Sequence, residues 1–152
     1  MREFKLFILS ITVMFNIIGC SSNESTSANS LKKSSSSCPK CNMHIDETKH
    51  FTASFEQHDF DDIGCLVLYS KDNNIDLKNS PSKVFTNDTH RYIDSMDAYY
   101  KTDEITPMNY GFGAYEHKIL NTIDFNELIL RMLRGENMSN PKIRKQILGD
   151  KA

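Results

Sequence analysis

Several things are missing from this sequence of 152 residues. No apolar run is long enough to cross a bilayer. Leu6 to Ile18 is the longest candidate, broken by Ser10, Thr12 and Asn16, and a membrane-spanning helix needs about 20 apolar residues. No basic stripe exists, and basic clusters such as Lys32-Lys33 stop at two residues. Without residues 1–19, which carry Arg2, Lys5 and Glu3, 16 basic and 19 acidic residues remain, a net of −3. That balance excludes nucleic acid as a partner. A second CxxC pair is also lacking. Of four cysteines, Cys20 stands apart and Cys38, Cys41 and Cys65 are left. An odd number cannot close a complete disulfide framework.

What is present begins with an address. A charged start, Arg2 and Lys5, precedes an apolar stretch with the length of a signal-peptide core. It ends in Ile17-Ile18-Gly19-Cys20, which resembles a bacterial lipobox. The pattern implies a lipoprotein signal peptide over 1–19, cleavage before Cys20 and lipidation of that cysteine. Several acyl chains hold firmly, since each buried methylene contributes about 0.8 kcal/mol. Ser21 after the lipidated cysteine implies the periplasmic side of the outer membrane. Residues 20–37 form a serine-rich linker, SSNESTSANSLKKSSSS after the cysteine, with nothing to bury and therefore expected to be disordered. The folded domain is expected at 38–135, followed by a polar C-terminal tail over 136–152.

Within that domain HFTASFE (50–56) alternates as a strand, with Phe51, Ala53 and Phe55 on one face. Asp59, Asp61 and Asp62 suit a helix start, with Asp61 expected to open the helix. Ile63, Cys65, Leu66, Val67, Leu68 and Tyr69 leave that helix almost no polar face, so it should be buried on most sides. Asp72-Asn73-Asn74 ends it. KVFT, RYID, DAYY and GFGAYE read as short strands. Asp124 caps a second helix whose Phe125, Leu128, Ile129, Met132 and Leu133 make one apolar stripe, and Gly135 ends it. The two halves look alike: Met43-His44, strand and Asp-opened helix, then Met108-Asn109, strand and Asp-opened helix. An α+β domain of two small ββα-type lobes, an internal duplication, follows.

The chemistry centres on CPKCNMHI, 38–45. A structural zinc site wants four ligands, and one knuckle supplies two, so Cys65 and a histidine would have to complete it from a distance. A thiol-disulfide oxidoreductase using Cys38 and Cys41 wants a helix directly after the CxxC to lower the first thiol's pKa, and NMHIDETKHF reads instead as strand, turn, strand. If Cys41-Asn42-Met43 is a strand, the Cys41 and Met43 sulfurs share a face, and soft sulfur donors select Cu(I) over Mg, Ca or Mn. His44 would join them only if the chain turned after Met43. Met43 as core packing is the plain alternative.

Three segments, CPKCNMHI, FDDIGCLVLY (60–69) and YIDSMDAYYKTDEITPMNYGFGAY (92–115), resemble, in that order and behind a lipobox, the nitrous-oxide reductase accessory lipoprotein family (NosL). The resemblance implies a membrane-anchored periplasmic Cu(I) chaperone, not an enzyme. Such a chaperone works with nitrous-oxide reductase and an ABC-type copper-site maturation complex. It implies Cys41 and Met43 as copper ligands, and it needs no ligand from Cys38. His44 or Met108 is the candidate third ligand. Asn42 and Asn109 stand where the family usually has glycine, and Asn tolerates left-handed backbone angles. His50, His58, His90 and His117 read as surface residues, and Cys65 as a small core residue. Tyr99, Tyr100, Tyr110, Phe112 and Tyr115 read as core or rim.

Overall fold

The computed structural model of this chain describes residues 37–149. The expected signal peptide, Cys20 and nearly all of the expected serine-rich linker lie outside the described residues. The described part is a mixed α+β fold with two antiparallel sheets and three helices. No described helix is long and apolar enough to cross a membrane.

The first sheet holds β1 (Ala53–Phe55), β2 (His58–Phe60), β3 (Lys83–Phe85) and β4 (Tyr92–Asp94) in the order β2-β1-β3-β4. β1 and β2 form a tight hairpin with Ala53 opposite Phe60 and Phe55 opposite His58. Glu56, left-handed at φ 53°, makes the corner. The second sheet pairs β5 (Tyr99–Lys101) with β6 (Gly113–Tyr115), Tyr100 opposite Ala114. A helix follows each pair: α1 (Ile63–Asp72) after β1-β2 and α2 (Phe125–Arg134) after β5-β6. The order ββα therefore occurs twice, as the two expected lobes require, with the β3-β4 hairpin between them. The two helices pack on each other, α1 against the first sheet and α2 against β5.

The apolar positions explain that packing. Phe60, Ile63, Leu66, Val67, Val84, Tyr100, Phe112, Phe125 and Leu128 are fully buried and belong to one continuous core. In α1 the first five residues and Ser70 are buried, while Leu68 and Tyr69 are half-buried, so the helix is enclosed on most sides as its composition demands. Of the α2 stripe, Phe125, Leu128, Ile129 and Met132 are buried, whereas Leu133 is 45% exposed. The stripe outruns the surface available to cover it. Gly135 closes α2 in the left-handed conformation at φ 71°, the ordinary device for ending a helix.

Three local expectations change. The N-cap of α1 is Asp62, not Asp61: its Oδ1 accepts the Gly64 N–H at 2.8 Å. β1 begins at Ala53, because Lys49 and Phe51 are left-handed at φ 57° and 65° and break the extended run. The polar tail contains a third helix, α3 (Pro141–Leu148), with Asn140 as N-cap and a proline in its first turn. Before it, Met138 is buried and its N–H donates to the Tyr110 carbonyl at 3.1 Å, so packed structure continues past Gly135.

Candidate metal centre

Two short segments build the centre. The first is Cys38 to Met43. It is not a strand but a tight turn: the Asn42 N–H donates to the Cys38 carbonyl at 2.8 Å, and the Cys38 N–H to the Met43 carbonyl at 2.8 Å. Asn42 is left-handed at φ 62°, a conformation Asn adopts more readily than most residues. Ser37 and His44 face each other in an isolated antiparallel bridge at the base. The second segment runs from Asp61 to Cys65 through the start of α1. Cys65 occupies its first turn, and its N–H donates to the Asp62 carbonyl.

Folding brings the two segments together. The sulfurs of Cys38, Cys41 and Cys65 and a carboxylate oxygen of Asp61 all lie within 4.8 Å of one another. Among the described residues this is the one place where His, Cys, Asp and Glu side chains gather three or more donor atoms. The three cysteines are free thiols. Cys38, Cys65 and Asp61 are buried, and Cys41 is half-exposed. The Cys41 thiol donates to Asp61 Oδ1 at 3.2 Å, while Asp61 Oδ2 is buried with no hydrogen-bond partner. A buried carboxylate oxygen left unpaired is costly, and a bound cation is one of the few things that would satisfy it.

The thiols differ in acidity. Cys38 is lowered to about 6, chiefly by the hydrogen bond it receives from the Cys65 thiol. The same contact, with burial, pushes Cys65 far up. Together the pair gives up one proton easily and the second with difficulty, because the first thiolate repels the next charge. Burial raises Cys41 to about 11. Next to the group, burial raises Asp62 to about 7. Its Oδ2 accepts the Met108 N–H at 3.4 Å, tying the start of α1 to the loop before β6.

That loop roofs the centre with Tyr110, whose phenol is pushed up to about 12 by burial first and then by the neighbouring Cys65, Asp62, Cys41 and Asp61. Gly64 makes the close approach possible. A Cβ there would lie 2.3 Å from Tyr110 Cδ2 and 2.9 Å from Met132 Cε. Gly64→Ala is therefore expected to force ring and helix apart at a cost of about 1–3 kcal/mol. A urea denaturation midpoint equal to wild type would show that the ring yields freely.

The sequence-derived site residues divide. Cys41 is in the group. His44 is exposed and outside it. Met43 is 43% exposed, and with Asn42 left-handed the argument that residues i and i+2 share a strand face does not apply to it. Met108 is half-buried against the core, in a turn where Asn109 is left-handed at φ 54°. None of His50, His58, His90 and His117 enters the group. Of the other three members, Cys38 and Cys65 were weighed as donors only for zinc, and Asp61 went unread. A signal existed, since CPKC is a turn-forming knuckle and FDDIGC places an acid and a thiol four residues apart across a helix start. No family model, curated protein or solved structure matches the chain.

Proposed function

We propose that this protein is a lipid-anchored Cu(I) carrier on the periplasmic side of a bacterial membrane, held there through Cys20. It delivers copper for assembly of the nitrous-oxide reductase copper centre, together with an ABC-type maturation complex, and catalyses no reaction itself. The observation that carries this reading is the convergence of three free thiols at Cys41. Sulfur donors of this kind favour soft d10 ions. The half-exposed Cys41 gives an ion a way in and out, which a carrier needs and a sealed structural site does not. The sequence resemblance supplies the cargo's destination.

The thiol-disulfide alternative fares worse on chemistry. A redox nucleophile has to be accessible and ionised together. Here the acidified thiol, Cys38, is buried, and the accessible one, Cys41, is held protonated. A second reading does have an observation behind it. Asp61 makes a fourth donor beside three cysteines, and four donors suit a structural zinc ion.

One titration separates the two. The purified chain, kept reduced and free of oxygen, is loaded with Cu(I) or with Zn(II) against competing chelators. The expected result is one Cu(I) per chain, retained where Zn(II) is stripped. Retention of stoichiometric zinc with easy loss of Cu(I) would overturn the carrier reading in favour of a structural metal.

A further inference from the structure

We infer that Cys38 and Cys65, with Cys41, form a three-thiolate Cu(I) site backed by the Asp61 carboxylate, and that Met43 is not needed as a donor. This rests on the Cu(I) reading above but departs from the cysteine-and-methionine ligand pair that the sequence suggests.

Four observations carry it. The three sulfurs and an Asp61 oxygen already lie within 4.8 Å of one another, so an ion could bridge them with side-chain adjustment alone. Two of the three thiols, Cys38 and Cys65, are almost completely buried at 1% and 0% exposure, yet they face each other and not only apolar neighbours. Asp61 is 3% exposed, and its Oδ2 has no partner. An unpaired carboxylate oxygen inside a cluster of thiols has no packing purpose, and it favours a cation arriving there. The centre also sits at the start of α1, where the helix dipole favours the negative charge of a metal–thiolate complex.

The turn that carries Cys38 and Cys41 gives the same answer for Met43. With Asn42 left-handed, Cys41 is directed into the group while Met43 keeps 43% of its surface exposed. A thioether there would have to compete with three thiols that are already gathered. Loading the site displaces the thiol protons to solvent and forms copper–sulfur bonds, with no change in the oxidation state of copper or sulfur.

The test compares Cys38→Ser, Cys65→Ser and Met43→Leu in the full chain, titrated with Cu(I) against a chelator, with copper X-ray absorption on the wild-type complex. Losing even a hydrogen-bond partner of a ligand costs metal sites about 10–100-fold in affinity, so each serine variant is expected to lose at least that much. Met43→Leu is expected to stay within a few-fold of wild type. Three sulfur neighbours at one distance are expected in the absorption spectrum. That measurement needs no variant, so it stands even if a serine replacement unfolds the chain. Two sulfurs plus a nitrogen, or a large loss on Met43→Leu with none on Cys65→Ser, would overturn the three-thiolate site while leaving the Cu(I) carrier intact. Absence of Cu(I) binding by the wild type would instead remove the carrier reading itself, and this site with it.

Discussion

Cys41→Ser is expected to lower Cu(I) affinity by more than about 100-fold, beyond the range seen when only a hydrogen-bond partner of a ligand is lost. Cys41 is the one half-exposed thiol of the group, so in the proposed site it would be both a donor and the point of entry. Serine keeps the side chain's size and can still donate to Asp61 Oδ1, the partner now 3.2 Å from the sulfur. The fold should therefore survive with a change well under the roughly 1.5 kcal/mol that volume-conserving replacements cost. Chelator competition reads the affinity, and urea denaturation reads the stability. In cells, nitrous-oxide reductase should emerge short of copper. Unchanged Cu(I) affinity in a folded Cys41→Ser protein would sink every version of the copper site considered above.

Tyr100→Ala is expected to destabilise the chain by about 3–5 kcal/mol. The ring has no exposed surface and stacks on Phe125, with centroids 5.7 Å apart at an interplanar angle of 28°. Its hydroxyl donates to the Ser95 carbonyl at 2.9 Å. Its backbone exchanges two hydrogen bonds with Ile123, at 2.8 and 2.9 Å, which fasten β5 to the approach of α2. Truncation opens a cavity between β5 and α2 and leaves the Ser95 carbonyl without its buried donor. All four candidate donors lie between residues 38 and 65, so whatever fraction stays folded should bind Cu(I) with unchanged stoichiometry. A urea midpoint close to wild type would mean that the core collapses around the gap far better than a stacked pair should allow.

These two residues differ in how openly the sequence announces them. The strands at KVFT, RYID, DAYY and GFGAYE and the two helices could be read because alternation and the i, i+3, i+4 pattern report burial directly. Tyr100 lies in such a strand. β2 escaped because HDF offers one apolar residue, Phe60, beside His58 and Asp59, and its acid reads as part of the start of the following helix. The choice between Asp61 and Asp62 as cap turned on a one-residue register that two adjacent acids cannot declare. The backbone at Cys41-Asn42-Met43 was misread for a related reason. Three residues such as Cys41-Asn42-Met43 fit a strand or a turn equally well, and the left-handed Asn42 decided between them. Cys65 was hidden by its own neighbourhood. A thiol in a run of Leu, Val and Ile looks like core, and it is core; only the arrival of the 38–41 turn beside it gives its sulfur a second meaning.

The repeated ββα order divides the labour of the chain. Both units keep a left-handed Asn directly after a sulfur-bearing residue, Asn42 after Cys41 and Asn109 after Met108, and both helices start from an Asp cap, Asp62 and Asp124. Yet every thiol and the carboxylate of the centre belong to the first unit, and the second contributes Tyr110 and the hydrogen bond from Met108 to Asp62. The second unit serves as a retainer for the first. In the first unit the identity of single atoms matters to the proposed site, while in the second it is shape that matters. Related chains that have kept the function should therefore diverge faster across 102–134 than across 38–65, with substitutions in the later stretch following volume and those in the earlier one following chemistry.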